Sequence, residues 1–181
     1  MRAHWVKTDN ASVPDKVFLR RKATEHLGSL RVLDLYAGEN VLYGHFDTER
    51  YYGVEIVGDK GKNLHGDCKR VIASLDLSDI NVIDCDSYGI PFDIILKIFE
   101  NPTLQKGTVI IYTAIANRMS GVSRRCLEMF GLERIWAKNH TLIAGKAHEL
   151  FYAMLEKNGV SMVHYYKVSA GFQKHYGYFV V

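Results

Sequence analysis

The chain has 181 residues, 48% of them apolar and 24% charged, with a formal net charge of +3. That composition fits a globular domain with a buried core and excludes a disordered or collagen-like chain. No stretch approaches the roughly 20 apolar residues a transmembrane helix needs, and the mild basic excess permits a nucleic-acid partner without demanding one.

Residues 1–14 read as a flexible or accessory N-terminal segment that ends in a turn-rich break. Residues 15–27 then read as a helix, with Val17, Phe18, Ala23 and Leu27 facing inward and Gly28 as the stop. Its cluster Arg20-Arg21-Lys22 reads first as a solvated face and second as a phosphate contact. Val32-Leu33-Asp34-Leu35-Tyr36-Ala37-Gly38 is an apolar strand running into a carboxylate and a small-residue turn. Free backbone N–H groups at such a turn favour an anion. Asp34 beside it repels a pyrophosphate and attracts a ligand carrying positive charge. The following Gly38-Glu39-Asn40-Val41-Leu42-Tyr43-Gly44 lacks the middle glycine of a dinucleotide fingerprint and adds a second acid.

A second strand over 51–56 carries Glu55, 21 positions after Asp34, where an acid is placed to take two ribose hydroxyls. A short stretch, 64–67, ends in Asp67 and leads into a helix over 68–75. A fourth strand begins at Asn81 and runs into the loop Asp84-Cys85-Asp86-Ser87-Tyr88-Gly89-Ile90-Pro91. Asp84 and Asp86 alternate along an extended strand and so face the same way. With no third acid or histidine nearby in sequence, no metal site is predicted. Pro91 opens a helix over 92–99, where its missing N–H does no harm. Successive strand ends that each carry a polar side chain fit the ligand crevice of an open α/β sheet.

The β-branched run 108–112 is a fifth buried strand. Residues 119–145 hold one short helix, 123–130, followed by mixed sequence with Arg134, Trp136 and Lys138. A connection this long reads as functional rather than idle. Residues 146–157 form an amphipathic helix that stops at Asn158-Gly159. The aromatic runs 160–168 and 176–181 are joined by a short polar link and so pair antiparallel. Cys68, Cys85 and Cys126 form no C-x-x-C pair, so neither a disulfide framework nor a zinc site is indicated. No apolar signal-peptide run opens the chain, and a reduced, cytoplasmic setting is expected. The whole chain, 1–181, reads as a single α/β domain.

These residues resemble the class I S-adenosylmethionine-dependent methyltransferases. Asp34 and Gly38 match the family's first motif, with Tyr36 inside it and Asn40 where a second glycine is usual. Glu55 matches the ribose acid. Asp67 matches the contact to the adenine amino group, with Cys68 beside it. The loop from Asp84 to Pro91 is similar to that of the tRNA guanine-N2 dimethyltransferases, with Ser87 where proline is usual. It is more distantly similar to the Asp-Pro-Pro-Tyr loop of amino-methylating DNA methyltransferases. The resemblance implies a Rossmann-like doubly wound sheet: five mainly parallel strands, then an antiparallel C-terminal pair, with short first crossovers.

It also implies S-adenosylmethionine as cofactor, held by Asp34, Tyr36, Gly38, Asn40, Glu55, Asp67, Cys68 and Asp84. The acceptor would be an exocyclic amine of a nucleobase in RNA or DNA. Asp86, or the backbone carbonyl after it, would take the amine hydrogen bond, and Tyr88 would stack on the base. Arg124 and Arg125 would meet phosphates. A homo-oligomer stays open. Two rival classes share the fold: a small-molecule or protein methyltransferase, and a catalytically silent binding protein.

Overall fold

A computed structural model describes residues 13–38, 42–55, 64–116, 122–170 and 172–181. The first helix, α1, spans Val13–Thr24 and leads into β1 at Arg31–Asp34. A single 3₁₀ turn at Tyr43–His45 precedes β2, Arg50–Glu55. The two-residue β3, Leu64–His65, is followed by α2, Cys68–Ser74. Next come β4 at Val82–Cys85, α3 at Phe92–Phe99 and β5 at Val109–Ala116. Three short helices follow: α4 at Arg124–Phe130, α5 at Glu133–Lys138 and α6 at His140–Gly145. The long helix α7, Ala147–Lys157, precedes the hairpin β6, His164–Ala170, and β7, Phe172–Val180.

The strands form one seven-stranded sheet in the order β3-β2-β1-β4-β5-β7-β6. Pairing is parallel from β3 through β5 and antiparallel where β7 meets β5 and β6. This is the expected Rossmann-like doubly wound sheet. The strand order reverses between β1 and β4, and the crevice outside their carboxyl ends is where such sheets bind ligands.

Alternation along the strands sorts two cores. Leu33, Leu35, Ile83 and Cys85 face α2, α3 and α7, where Ile72, Ile95, Phe151 and Met154 complete a buried cluster. Val32, Val82, Val109 and Ile111 face the other way, under Leu19 and Ala23 of α1 and the ring of Tyr43. Between Gly38 and β2 the 3₁₀ turn is the helical element among the described residues. The first crossover is therefore short, and α1 covers much of the face that a crossover helix would cover.

The C-terminal hairpin is tighter than the sequence suggests. Residues 169–174 were expected as a polar link, but β6 and β7 pair through Ser169↔Gln173 and Ala170↔Phe172. On β7, Gly177 stands opposite Tyr112. A β-carbon there would sit 2.6 Å from Tyr112 Cζ and 2.8 Å from the His164 carbonyl. The missing side chain lets the Tyr112 ring lie across the strand.

Two further expectations are corrected. The region after Phe130 is not irregular: α5 and α6 are ordered, and Leu132–Trp136 and Ile135–Asn139 backbone bonds hold their turns. Also, Phe18 is 57% exposed, while Arg20 is 1% exposed. The inward stripe of α1 is Leu19, Arg20, Ala23 and Thr24. A charged residue takes a core position because two strand carboxylates lie beneath it.

Candidate functional site

Parallel pairing puts Asp34 of β1 directly beside Asp84 of β4. Both side chains project toward α1, and their residues are 4% and 0% exposed. Arg20 answers Asp84 with two bonds, Nε to Oδ2 at 2.6 Å and Nη2 to Oδ1 at 2.9 Å. The Tyr43 hydroxyl donates to Asp84 Oδ2 at 2.7 Å. Asp84 was expected to touch a cofactor. Its oxygens are instead spent on Arg20 and Tyr43, and its full burial keeps it from a ligand. The reading of Arg20 as part of a solvated basic cluster is corrected in the same way.

Asp86 lies one residue beyond β4 on the same side. Lys16 Nζ donates to its Oδ2 at 2.6 Å, and the Thr113 hydroxyl donates to Oδ1 at 2.6 Å. Arg20 Nη2 stands 3.6 Å away. Burial opposes the Asp86 charge, but Arg20, Lys16 and these hydrogen bonds hold its carboxyl below the usual range. Asp86 thus ties α1, β4 and β5 together behind the loop that carries Tyr88.

Asp34 accepts from the Tyr51 hydroxyl at 3.0 Å and from the Tyr36 N–H at 3.2 Å. Among the described residues no cation bonds it directly. Burial, and then the charge of Asp84, push its carboxyl up to about 7. The network of Lys16, Arg20, Asp84 and Asp86 balances in charge when Asp34 holds its proton. Unfolded Asp34 titrates near 3.8 and folded Asp34 near 7. Between those values only the folded state keeps the proton, so the unfolded state binds fewer. Stability should therefore fall as pH rises through this window and level off above it. Asp34→Asn is expected to lose that slope, which then appears in the wild-type-minus-variant difference in urea midpoints. An unchanged slope would place the titration elsewhere.

The edge of the sheet is more open. Gly38 has φ of +54°, a left-handed conformation that a glycine adopts freely. Its N–H donates to Glu55 Oε2 at 3.0 Å, so the end of β2 closes onto the turn after β1. Asp67 caps α2 by accepting from the Lys69 N–H at 2.8 Å. Cys68 Sγ lies 3.5 Å from the Tyr36 hydroxyl. Asp34, Tyr36, Gly38, Glu55, Asp67 and Cys68 thus gather along the carboxyl ends of β1, β2 and β3. Asn40 lies outside the described residues.

Beyond this edge Tyr88 is 63% exposed and Tyr36 is 37% exposed. Both line a cavity of about 250 Å³ between the start of α3, the start of α4 and Lys69 of α2. Val122, Ser123 and Cys126 belong to its wall, so the connection after β5 borders this cavity. Arg124 and Arg125 are engaged elsewhere, with Glu128 and Glu100 respectively. Sequence reasoning missed Lys16, Tyr43, Tyr51 and Thr113 as carboxylate partners, and missed Asp93 and Lys69 in the cavity. The one available signal was spacing: Lys16 and Arg20 are one helical turn apart, matched to two acids at alternate strand positions.

No family model matches the sequence, and no curated protein matches it. Solved structures do share its fold. Trm1 from Pyrococcus horikoshii, in complex with S-adenosyl-L-methionine, superposes with a TM-score of 0.58 at 11% identity. The match covers 97% of this chain and 56% of that one. The precorrin 8w decarboxylase of Methanobacterium thermoautotrophicum gives 0.53 at 14% identity, covering 92% and 90%. The N-terminal domain of EvdMO1 with SAH bound gives 0.54 at 10% identity, covering 93% and 80%. At these identities the likeness establishes the architecture, a Rossmann-like methyltransferase fold. No helix among the described residues is long and apolar enough to cross a membrane.

Proposed function

We propose that the protein is an S-adenosylmethionine-dependent methyltransferase acting on an exocyclic amine of a nucleobase in RNA or DNA. The observation that carries the reading is the series Asp34, Gly38, Glu55 and Asp67 at the carboxyl ends of successive strands. Two similar folds are solved with S-adenosyl-L-methionine or SAH, which supports the same cofactor here. In this reading Glu55 takes the ribose hydroxyls. Asp67 and Cys68 flank the adenine. The acids at the edge of the crevice, Glu55 and Asp67, make it favourable for the ammonium and sulfonium of the cofactor and unfavourable for a pyrophosphate.

The reaction is a direct displacement at the methyl carbon. The amine nitrogen forms the new C–N bond as the C–S bond breaks, leaving S-adenosylhomocysteine and a proton for solvent. An aromatic amine is a poor nucleophile because its lone pair is delocalised into the ring. A hydrogen-bond acceptor on the amine and a fixed in-line approach supply the remedy. Asp86 is held by Lys16 and Thr113, so it acts by fixing the loop, and the backbone carbonyl after it faces the amine. Tyr88 stacks on the base. Arg124 is 90% exposed and its pair with Glu128 is a surface ion pair, weak enough to exchange for a phosphate. In a duplex the base must be flipped out first.

Transfer of a labelled methyl group from S-adenosylmethionine to RNA or DNA tests the reading. Tyr88→Ala is expected to weaken acceptor binding by about 1–3 kcal/mol, and Tyr88→Phe much less, because stacking needs the ring and not the hydroxyl. Equal losses in the two variants would remove the stacking role. Methyl transfer to small molecules or proteins only would remove the nucleobase acceptor.

A further inference from the structure

We infer that the stacked imidazoles of His148 and His175 form an acid-sensitive latch, which holds the start of α7 against the sheet beside the cavity that Tyr88 lines. The inference stands without the methyltransferase reading. His148 lies in the first turn of α7 and is 8% exposed. Its ring lies flat on that of His175 of β7, with centroids 3.7 Å apart and planes 6° from parallel. Antiparallel pairing puts His175 directly beside Ala114 of β5, and His148 Nε2 stands 3.1 Å from the Ala114 carbonyl. The two rings thus join α7, β5 and β7 at one point.

The hydrogen bonds fix where the protons sit. A carbonyl only accepts, so His148 donates to Ala114 from Nε2. The Tyr112 hydroxyl donates to that of Tyr152 at 3.4 Å, and the Tyr152 hydroxyl donates to His175 Nδ1 at 2.7 Å. This arrangement needs Nδ1 bare, because a proton there would set N–H against O–H. One imidazolium can rest on a neutral ring. Two cannot, since like charges at this separation in a buried layer repel strongly. For His148, burial and the positive end of the α7 dipole also oppose a charge.

Around the pair, β5 contributes Tyr112 and α7 contributes Tyr152. On β6, Lys167 stands opposite His175 in register. Glu149, next to His148, has both carboxylate oxygens on Lys146 Nζ, at 2.9 and 2.7 Å. Lys174 and Tyr176 alternate with His175 and so take the other face of β7. Asp86 lies on that other face too, held by Thr113 of β5 and Lys16 of α1. The latch meets the cavity at two points. Ala147, the residue before His148, lines the cavity together with Tyr88. The Ile115 N–H, next along from Ala114, donates to the Gly89 carbonyl at 2.9 Å, in the loop that carries Tyr88. Releasing the first turn of α7 therefore moves a wall of the cavity.

With the first turn of α7 released, both rings are free to take protons near the ordinary histidine value of about 6.5. With the turn docked, the pair takes one. The released state binds more protons below that value, so the latch weakens as pH falls through it. Histidine-ring NMR and amide exchange on the full chain test this. In the wild type the two rings are expected to protonate in steps at least about two pH units apart. After correction for the intrinsic effect of pH, the Leu150 and Phe151 amides should lose at least about tenfold in protection between about pH 7.5 and 5. The Leu33 and Ile83 amides should keep theirs. His148→Gln keeps an N–H for the Ala114 carbonyl, and His175→Asn keeps an acceptor for Tyr152. Either variant should hold its protection on acidification, and the ring that remains should titrate in a single step. The wild-type titration needs no variant to fold. Steps closer together than stated, protection that does not fall, a fall shared by Leu33 and Ile83, or an equal fall in both variants would overturn the latch.

Discussion

Replacing Arg20 with methionine is expected to destabilise the fold by about 3–5 kcal/mol, the cost of leaving a buried charge without its partner. Arg20 is the side chain that answers Asp84, with bonds of 2.6 and 2.9 Å in a layer closed to solvent. Methionine keeps much of the volume and removes the charge. Among the described residues Lys16, bonded to Asp86, would then be the one cation bonded to either carboxylate. The double variant Arg20→Met with Asp84→Leu should recover a large part of the loss, because removing both partners removes the uncompensated charge. Urea unfolding of the single and double variants measures both. A loss below about 1 kcal/mol in Arg20→Met is the behaviour of a surface pair and would contradict the burial of this network.

Asp86→Asn is expected to cut methyl transfer by about 10²–10³-fold while leaving cofactor binding nearly unchanged. The carboxylate fixes the Tyr88 loop through Thr113 and Lys16 rather than by touching the base. The loss should therefore fall on the chemical step, and Lys16→Met should reproduce a part of it. Single-turnover transfer separates the step from acceptor binding. A purely structural role would instead lower the unfolding midpoint without changing the single-turnover rate below it. Full activity in Asp86→Asn would reject the positioning role and leave the cofactor crevice untouched.

The sheet was legible because periodicity and strand-end chemistry are local. Apolar runs at 32–35 and 82–85, each ending near an acid, fix β1 and β4 as buried parallel strands. The β-branched run before Tyr112 does the same for β5. Helix α7 shows its stripe of Phe151, Met154 and Leu155 without tertiary information. The cluster at Gly38, Glu55 and Asp67 follows from the same strand ends, since a parallel sheet brings its carboxyl ends together.

What the sequence concealed was which face each acid takes and what waits there. Asp34, Asp84 and Asp86 look alike as strand-end acids. Their difference comes from α1, which arrives from outside the sheet and places Lys16 and Arg20 over two of them. A helix rich in charge, with Phe18 turned outward and Arg20 turned inward, breaks the rule that the apolar stripe marks the core.

The central claim is that the crevice at the ends of β1, β2 and β3 binds S-adenosylmethionine. Isothermal titration of the purified chain with S-adenosylmethionine and S-adenosylhomocysteine tests it most directly. Saturable heat is expected for both ligands, and Glu55→Ala should weaken each by about 1.5–3 kcal/mol, the range for a hydrogen bond to a charged group. No heat for either ligand at millimolar concentration, or full affinity in Glu55→Ala, would contradict the account.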